Sequence, residues 1–278
     1  MQKISNLRIN GSKGKPIVLD IVYTGSGNQK PIIIFCHGFK GFKNWGHYDL
    51  IAEEFARQGF IFVKFNFSYN GTTPEHPLDF TDLDAFGENN FSIELDDLGL
   101  VIHFMEENAG AYSGDHDKLF LIGHSRGGGI AILKAYKDKR IKKLVTWASV
   151  KNAEDFFSGQ NLEQWKKDGR IYTFNSRTQQ DMPLKYQLYE NFMDNKNRLN
   201  IPKAAKETDI PWLIVHGTND TSVPVAAAEQ LHNWNTKSEL LLIKGGDHTF
   251  GGKHPWNEKK LPADAQFAVG KTIAFFNK

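Results

Sequence analysis

Apolar positions along this chain recur with two periods, and the switching between them sets the expected architecture. Residues 7–9 and 17–23 are short apolar runs separated by Gly11, Gly14 and Pro16, which predicts an N-terminal antiparallel β-hairpin. Beyond it, β-branched and aromatic runs alternate with segments of helical spacing. Residues 32–36, Ile-Ile-Ile-Phe-Cys, read as a strand buried on both faces. Residues 48–58 place Leu50, Ile51, Phe55 and Ala56 on one helical face and stop at Gly59. A strand at 60–67, a helix at 91–107, a strand at 118–122, a helix at 125–136 and a strand at 141–147 continue the rhythm. Later strands at 211–216 and 239–243 flank a helix at 225–235, and a helix at 266–276 follows. Repeated strand–helix alternation implies a mostly parallel sheet with helices on both faces, an α/β class protein.

Residues 151–209 depart from this rhythm. They contain no clean buried strand, and Phe156, Phe157, Trp165, Tyr172, Phe174, Tyr186, Tyr189 and Phe192 are mixed with polar residues. The stretch is longer than an ordinary connection. It reads either as peripheral helices and a hairpin covering the sheet, or as a cap inserted over a site. The expectation carried forward is a single core domain, 1–150 and 210–278, with an inserted cap at 151–209. Trp165 and Tyr172 are the expected walls of an acyl or aryl pocket.

Composition narrows the function classes. The 278 residues are 40% hydrophobic and 13% aromatic, too apolar for a disordered chain. Lys and Arg (34) against Asp and Glu (32) leave a net charge of +2, which is not the footprint of a nucleic-acid binder. The single cysteine, Cys36, excludes an intrachain disulfide and any Cys cluster for zinc or iron–sulfur. The N-terminus lacks an apolar stretch of signal-peptide length, and no apolar run approaches the roughly 20 residues of a membrane helix. A cytoplasmic protein with no membrane partner is expected. Asp115-His116-Asp117 reads as a solvated turn ahead of a strand rather than a metal site. The acidic loop at 68–90, with Asp79, Asp82, Asp84 and Glu88, reads as solvated too.

The candidate chemistry centres on Gly123-His124-Ser125-Arg126-Gly127, which follows an apolar strand and precedes a helical stretch. A tight strand-to-helix turn of this kind projects the serine hydroxyl away from the sheet edge, with small residues allowing close backbone approach. A serine hydroxyl is a weak nucleophile and needs a histidine base held by a carboxylate. Only His232, His248 and His254 follow both Ser125 and a plausible acid loop. His232 falls within a helix and His254 in a polar loop. His248 follows a strand and a Gly-rich loop, the position expected of the base. Asp220 follows the strand at 211–216 and precedes a helix, so it is the acid, although an Asp there also suits a helix N-terminus. His216 ends that strand and fits a structural hydrogen-bonding role. Two backbone N–H groups must stabilise the oxyanion. Arg126, after the nucleophile, and Phe39, in the loop His37-Gly38-Phe39-Lys40-Gly41, are the candidates.

His37-Gly38-Phe39, the turn around Ser125, Asp220 and His248 together resemble the α/β-hydrolase fold in order, spacing and strand context, from residue 7 to 276. With a cap between the sixth and seventh strands, the chain looks like bacterial carboxylesterases, including cinnamoyl and feruloyl esterases, and dienelactone-hydrolase-like proteins. It is also similar to serine aminopeptidase-type hydrolases. The resemblance implies Ser125 as nucleophile, His248 as base and Asp220 as acid, with Phe39 and Arg126 N–H groups as oxyanion hole and no cofactor or metal. Dienelactone hydrolases proper use a cysteine nucleophile, and Ser125 stands in that place. The expected activity is hydrolysis of a small-molecule carboxylic ester through an acyl-enzyme, by a monomer or homodimer. A peptidase or amidase using the same triad is the alternative. Glu154, Asp155, Glu163 and Asp181 of the cap are candidates to hold a free amino group.

Overall fold

The apolar runs of the central strands are buried on both faces because alternate side chains enter two different helix layers. The computed structural model describes residues 1–25, 27 and 29–278. Eight strands form one sheet: β1 (Gln2–Asn10), β2 (Pro16–Tyr23), β3 (Lys30–Cys36), β4 (Ile61–Asn66), β5 (Gly114–His124), β6 (Ile141–Trp147), β9 (Trp212–Gly217) and β10 (Glu239–Ile243). Their order across the sheet is β1-β2-β4-β3-β5-β6-β9-β10. The pairs β1/β2 and β2/β4 are antiparallel, and every pair from β4 to β10 is parallel. A separate antiparallel pair, β7 (Arg170–Asn175) and β8 (Gln180–Lys185), lies in the segment between β6 and β9.

The helices are α1 (Tyr48–Arg57), α2 (Leu83–Glu88), α3 (Phe91–Asn108), α4 (Arg126–Lys137), α5 (Leu162–Asp168), α6 (Gln187–Asp194), α7 (Ile201–Glu207), α8 (Ala226–Trp234) and α9 (Ala263–Phe276). Ile34, Leu121, Leu144 and Ile214 point to the layer of α3, α4, α7 and α8. Ile33, Phe35, Ile122, Val145 and Leu213 point to the layer of α1 and α9. This period-two division explains why these strands carry no polar face. Among the described residues, no helix is long and apolar enough to cross a membrane.

Three expectations are corrected. Asp115-His116-Asp117 lies inside β5, which starts at Gly114, and not in a turn ahead of it. Gly114 pairs with Lys30, and the register then shifts before Leu119 meets Ile32, so these polar residues sit on an irregular strand end. The acidic loop holds α2, because Asp82 caps it by accepting the Ala85 N–H at 2.9 Å while pairing with Lys15. Finally, α9 begins at Ala263, directly after Pro262, ahead of the expected residue 266.

Residues 151–209 add no strand to the main sheet. Their aromatics pack largely on one another: Trp165 is buried, donates from Nε1 to the Leu184 carbonyl at 2.9 Å, and lies near Phe157 and Tyr186. Phe157 and Phe192 continue this cluster to Phe91 of α3.

One buried ionic group fixes the loop after β3. Asp20 of β2 accepts from Lys43 Nζ at 2.8 Å and from Lys64 Nζ at 2.9 Å, and all three side chains are almost fully buried. Burial works against the carboxylate, but the charges of Lys64 and Lys43 outweigh it and hold its pKa below the usual value. The Lys43 N–H also donates to Asn66 Oδ1 at 2.6 Å, so the loop is tied to β4. Asp20→Ala would leave two buried ammonium groups without their shared partner. It should lower unfolding free energy by about 3–5 kcal/mol in urea titrations. An unchanged midpoint would show that this ion group contributes nothing.

Candidate active site

The carboxyl ends of β3, β5, β6, β9 and β10 line up along one edge, as the register pairs Cys36 with Gly123, His124 with Trp147, and Ile243 with Gly217 show. Every loop leaving this edge faces the same space. Ser125 stands between β5 and α4 with φ 55° and ψ −122°, a left-handed conformation that a non-glycine residue rarely adopts. Close packing enforces it. A Cβ on Gly127 would lie 2.4 Å from the carbonyl oxygens of both Cys36 and His37, and one on Gly123 would lie 2.4 Å from the Gly127 carbonyl. The turn is thus wedged against the end of β3, and the hydroxyl projects at the N-terminus of α4.

Asp220 and His248 come from neighbouring loops that are knitted together. A Cβ on Gly217 would sit 2.2 Å from the Gly246 carbonyl, and Asn219 N–H donates to that same oxygen at 2.9 Å. His248 Nδ1 donates to Asp220 Oδ2 at 2.7 Å, which leaves Nε2 as the ring's acceptor. Asp220 Oδ1 accepts from the N–H groups of Ser222 and Val223, each at 2.8 Å. His216 Nε2 lies 3.2 Å from Asp220 Oδ2 and 2.8 Å from the Val223 carbonyl. Burial disfavours the Asp220 carboxylate, but donation from His216, His248 and Val223 N–H overrides that and holds its pKa well below the ordinary range. His216, at the end of β9, therefore steadies the Asp220 carboxylate.

Ser125 and His248 line one cavity of about 150 Å³ with Gly38, Phe39, Trp45 and Tyr48. No hydrogen bond joins Ser125 Oγ to the imidazole in this structure. Catalytic contacts of this kind commonly tighten only when substrate is bound. The other two histidines weighed for the base are engaged elsewhere: His254 Nδ1 accepts the Gly46 N–H at 2.8 Å, and His232 Nδ1 meets Ser238 Oγ at 2.9 Å. The backbone N–H groups of Phe39 and Arg126 have no partner among the described residues. Gly38 brings their loop close, since a Cβ there would lie 2.9 Å from Ser125 Cβ.

Two contributors to the site escaped the sequence reading. His124, inside the Ser125 motif, donates from Nε2 to the His248 carbonyl at 2.8 Å and so holds the loop carrying that ring. Burial, with the nearby His248, lowers its pKa to about 3, so it stays neutral. The Arg126 side chain folds inward, where Nε donates to Glu94 Oε2 at 2.8 Å. Only the fixed position within the motif hinted at the first, and nothing local hinted at the second. Trp165 and Tyr172 line a different cavity, of about 280 Å³, that shares Phe39 with the one around Ser125. Tyr172 is 57% exposed and Trp165 only 1%, so they do not face the site in the same way. The described residues hold no cluster of His, Cys, Asp and Glu able to bind a metal ion.

A family model described as BD-FAE matches residues 19–235. Among curated proteins, a probable isoprenylcysteine alpha-carbonyl methylesterase of Oryza sativa subsp. japonica is 26% identical over 245 residues, covering 79% of this chain and 51% of that protein. The chain thus spans about half the length of the curated relatives it first matches. Among solved structures, Est1E from Butyrivibrio proteoclasticus with ferulic acid bound superposes with a TM-score of 0.73 at 17% identity, over 98% of both chains. A putative dienelactone hydrolase from Klebsiella pneumoniae superposes with a TM-score of 0.63 at 16% identity, over the full length of both. These superpositions make the architecture an α/β-hydrolase fold.

The low pKa of Asp220 has a consequence for stability. A carboxyl depressed in the folded state contributes stability that is present above its unfolded value, near pH 4, and is lost as pH falls toward the folded value. Urea midpoints of the wild type and Asp220→Asn should therefore converge as the pH drops below about 4. A gap that stays constant from neutral to acid pH would show that ionised Asp220 does not hold these loops.

Proposed function

The chain belongs to the BD-FAE family, and from that membership we propose that it is a serine hydrolase cleaving carboxylic esters, with Ser125 as nucleophile, His248 as base and Asp220 as acid. The observation that carries the proposal is the 2.7 Å bond from His248 Nδ1 to Asp220, with the strained Ser125 on the same cavity. Ser125 Oγ attacks the acyl carbonyl and gives its proton to His248 Nε2. The carbonyl oxygen becomes an oxyanion and accepts from the N–H groups of Phe39 and Arg126. The alcohol leaves with the proton from His248. Water then attacks the acyl-enzyme, again losing its proton to His248, and the acid departs from Ser125.

Hydroxycinnamic esters are the proposed substrate class, supported by the ferulic acid in the superposed Est1E structure and by aromatic walls near the site. Residues 151–209 act as the cap in this proposal, with Trp165 and Tyr172 on its outer cavity. Lys40 links the oxyanion loop to it by donating to the Phe174 carbonyl at 3.1 Å. A peptidase would need a carboxylate to hold an amine. Asp155 is the cap carboxylate on the larger inner cavity, and Lys151 already occupies it at 2.8 Å.

A fluorophosphonate probe should label Ser125 and fail to label Ser125→Ala, read by intact-protein mass spectrometry. Asp220→Asn and His248→Ala should each lower turnover of p-nitrophenyl and hydroxycinnamate esters on the order of 10³-fold or more, with aminoacyl-arylamides uncleaved. An adduct on another residue, or full activity in His248→Ala with loss in His254→Ala, would sink the assignment.

A further inference from the structure

Arg126 carries hydrogen-bond donors that none of the described residues uses. Its side chain is 95% buried on one face of a cavity of about 400 Å³, yet only Nε is bonded, to Glu94. Nη1 and Nη2 have no partner among the described residues, and Nη2 is shut off from water. The guanidinium carbon lies over Phe91, 3.9 Å from the ring centroid, with Phe156 at 5.3 Å. The ring contacts and the Glu94 bond together hold the side chain in place. A buried donor left unpaired is costly, so a rigid, half-satisfied fork beside a nucleophile implies an acceptor supplied from outside.

We propose that Arg126 Nη1 binds an uncharged oxygen, such as a phenolic hydroxyl or methoxy group, on the acyl part of the substrate seated among Phe91, Val150, Phe156 and Val223. This rests on the ester-hydrolase reading above. The acyl part is assigned by position. The leaving alcohol takes its proton from His248, and His248 lines the smaller cavity and not this one. The acyl group stays on Ser125, whose neighbours Arg126 and Val150 wall the larger cavity. The oxygen is uncharged because the cavity's charges already balance: Arg126 pairs with Glu94, and Lys151 pairs with Asp155. A carboxylate would bring an unmatched negative charge next to Glu94 and Asp155, at a desolvation cost. A neutral acceptor satisfies the fork without one.

The test compares kcat/KM for methyl cinnamates bearing methoxy at ring position 3 or 4 with the ethyl isosteres at the same positions and with a ring carboxylate. p-Nitrophenyl acetate gauges ester hydrolysis itself. The wild type should prefer one methoxy ester to its ethyl isostere by roughly tenfold or more, the scale of one hydrogen bond to a charged donor. It should also prefer that ester to the carboxylate. In Arg126→Met, and in Arg126→Met with Glu94→Gln, which removes both charges, the preference should fall to about twofold or less, whatever the absolute rates. Circular dichroism screens both variants for folding, and if neither folds, the wild-type preference decides. Acetate hydrolysis without a methoxy preference, a preference that survives the substitutions, or a preferred carboxylate overturns this role for Arg126. Failure to cleave any of the esters overturns the ester-hydrolase reading itself.

Discussion

The carbonyl oxygens of Cys36 and His37 leave no space for a Cβ at residue 127, and the geometry of the site depends on that contact. Because Gly127 can press against the end of β3, helix α4 starts tight behind the turn and Ser125 is driven to positive φ. The same contact brings the loop after β3 beside Ser125, where a Cβ on Gly38 would lie 2.9 Å from Ser125 Cβ. One backbone approach thus couples Ser125 to the loop that carries Phe39. The strain at Ser125, of order 1–3 kcal/mol for such a conformation, is held by the packed sheet on either side.

Electrostatics secures what sterics positions. The Asp20, Lys43 and Lys64 group pins the loop after β3 to β2 and β4. Around Ser125, buried histidines are held neutral and serve as fixed donors or acceptors. Burial lowers His37 to about 4, and its Nδ1 donates to the Gly38 carbonyl. His124, lowered further, holds the His248 carbonyl. Neither ring adds a positive charge that would compete with His248 for Asp220. The surrounding histidines shape the site through hydrogen bonds.

How much of this was legible follows from the range of the interactions. Strands such as β3 and β9 announced themselves by nearly continuous apolar runs, because burial on both faces is written locally. Ser125, Asp220 and His248 were nameable because chain order and the ends of strands restrict the choices, and the register then places all three at one edge. The polar start of β5 was misread since its pairing with Lys30 is non-local. The short α2 was hidden by its acidic letters, one of which caps it. Asp20 meets Lys64 across 44 positions, and Arg126 meets Glu94 across 32. No periodicity records such pairs. They form only when the sheet order is fixed.

The buried side-chain atoms without a partner among the described residues include Arg126 Nη2, His216 Nδ1 and His47 Nδ1, and the first two have different causes. For His216 the reason is internal. Its Nε2 faces two acceptors, the Asp220 carboxylate and the Val223 carbonyl, so that nitrogen must carry the hydrogen. Nδ1 is then a bare lone pair in an apolar surround. Leaving Nδ1 bare is the cost of giving Asp220 an N–H donor from Nε2. Arg126 has no such internal reason. Glu94 uses Nε, Phe91 covers the guanidinium, and the side chain stands on the wall of a cavity. The contrast separates a histidine nitrogen left bare by the hydrogen its other nitrogen must carry from a guanidinium left half-bonded beside a cavity.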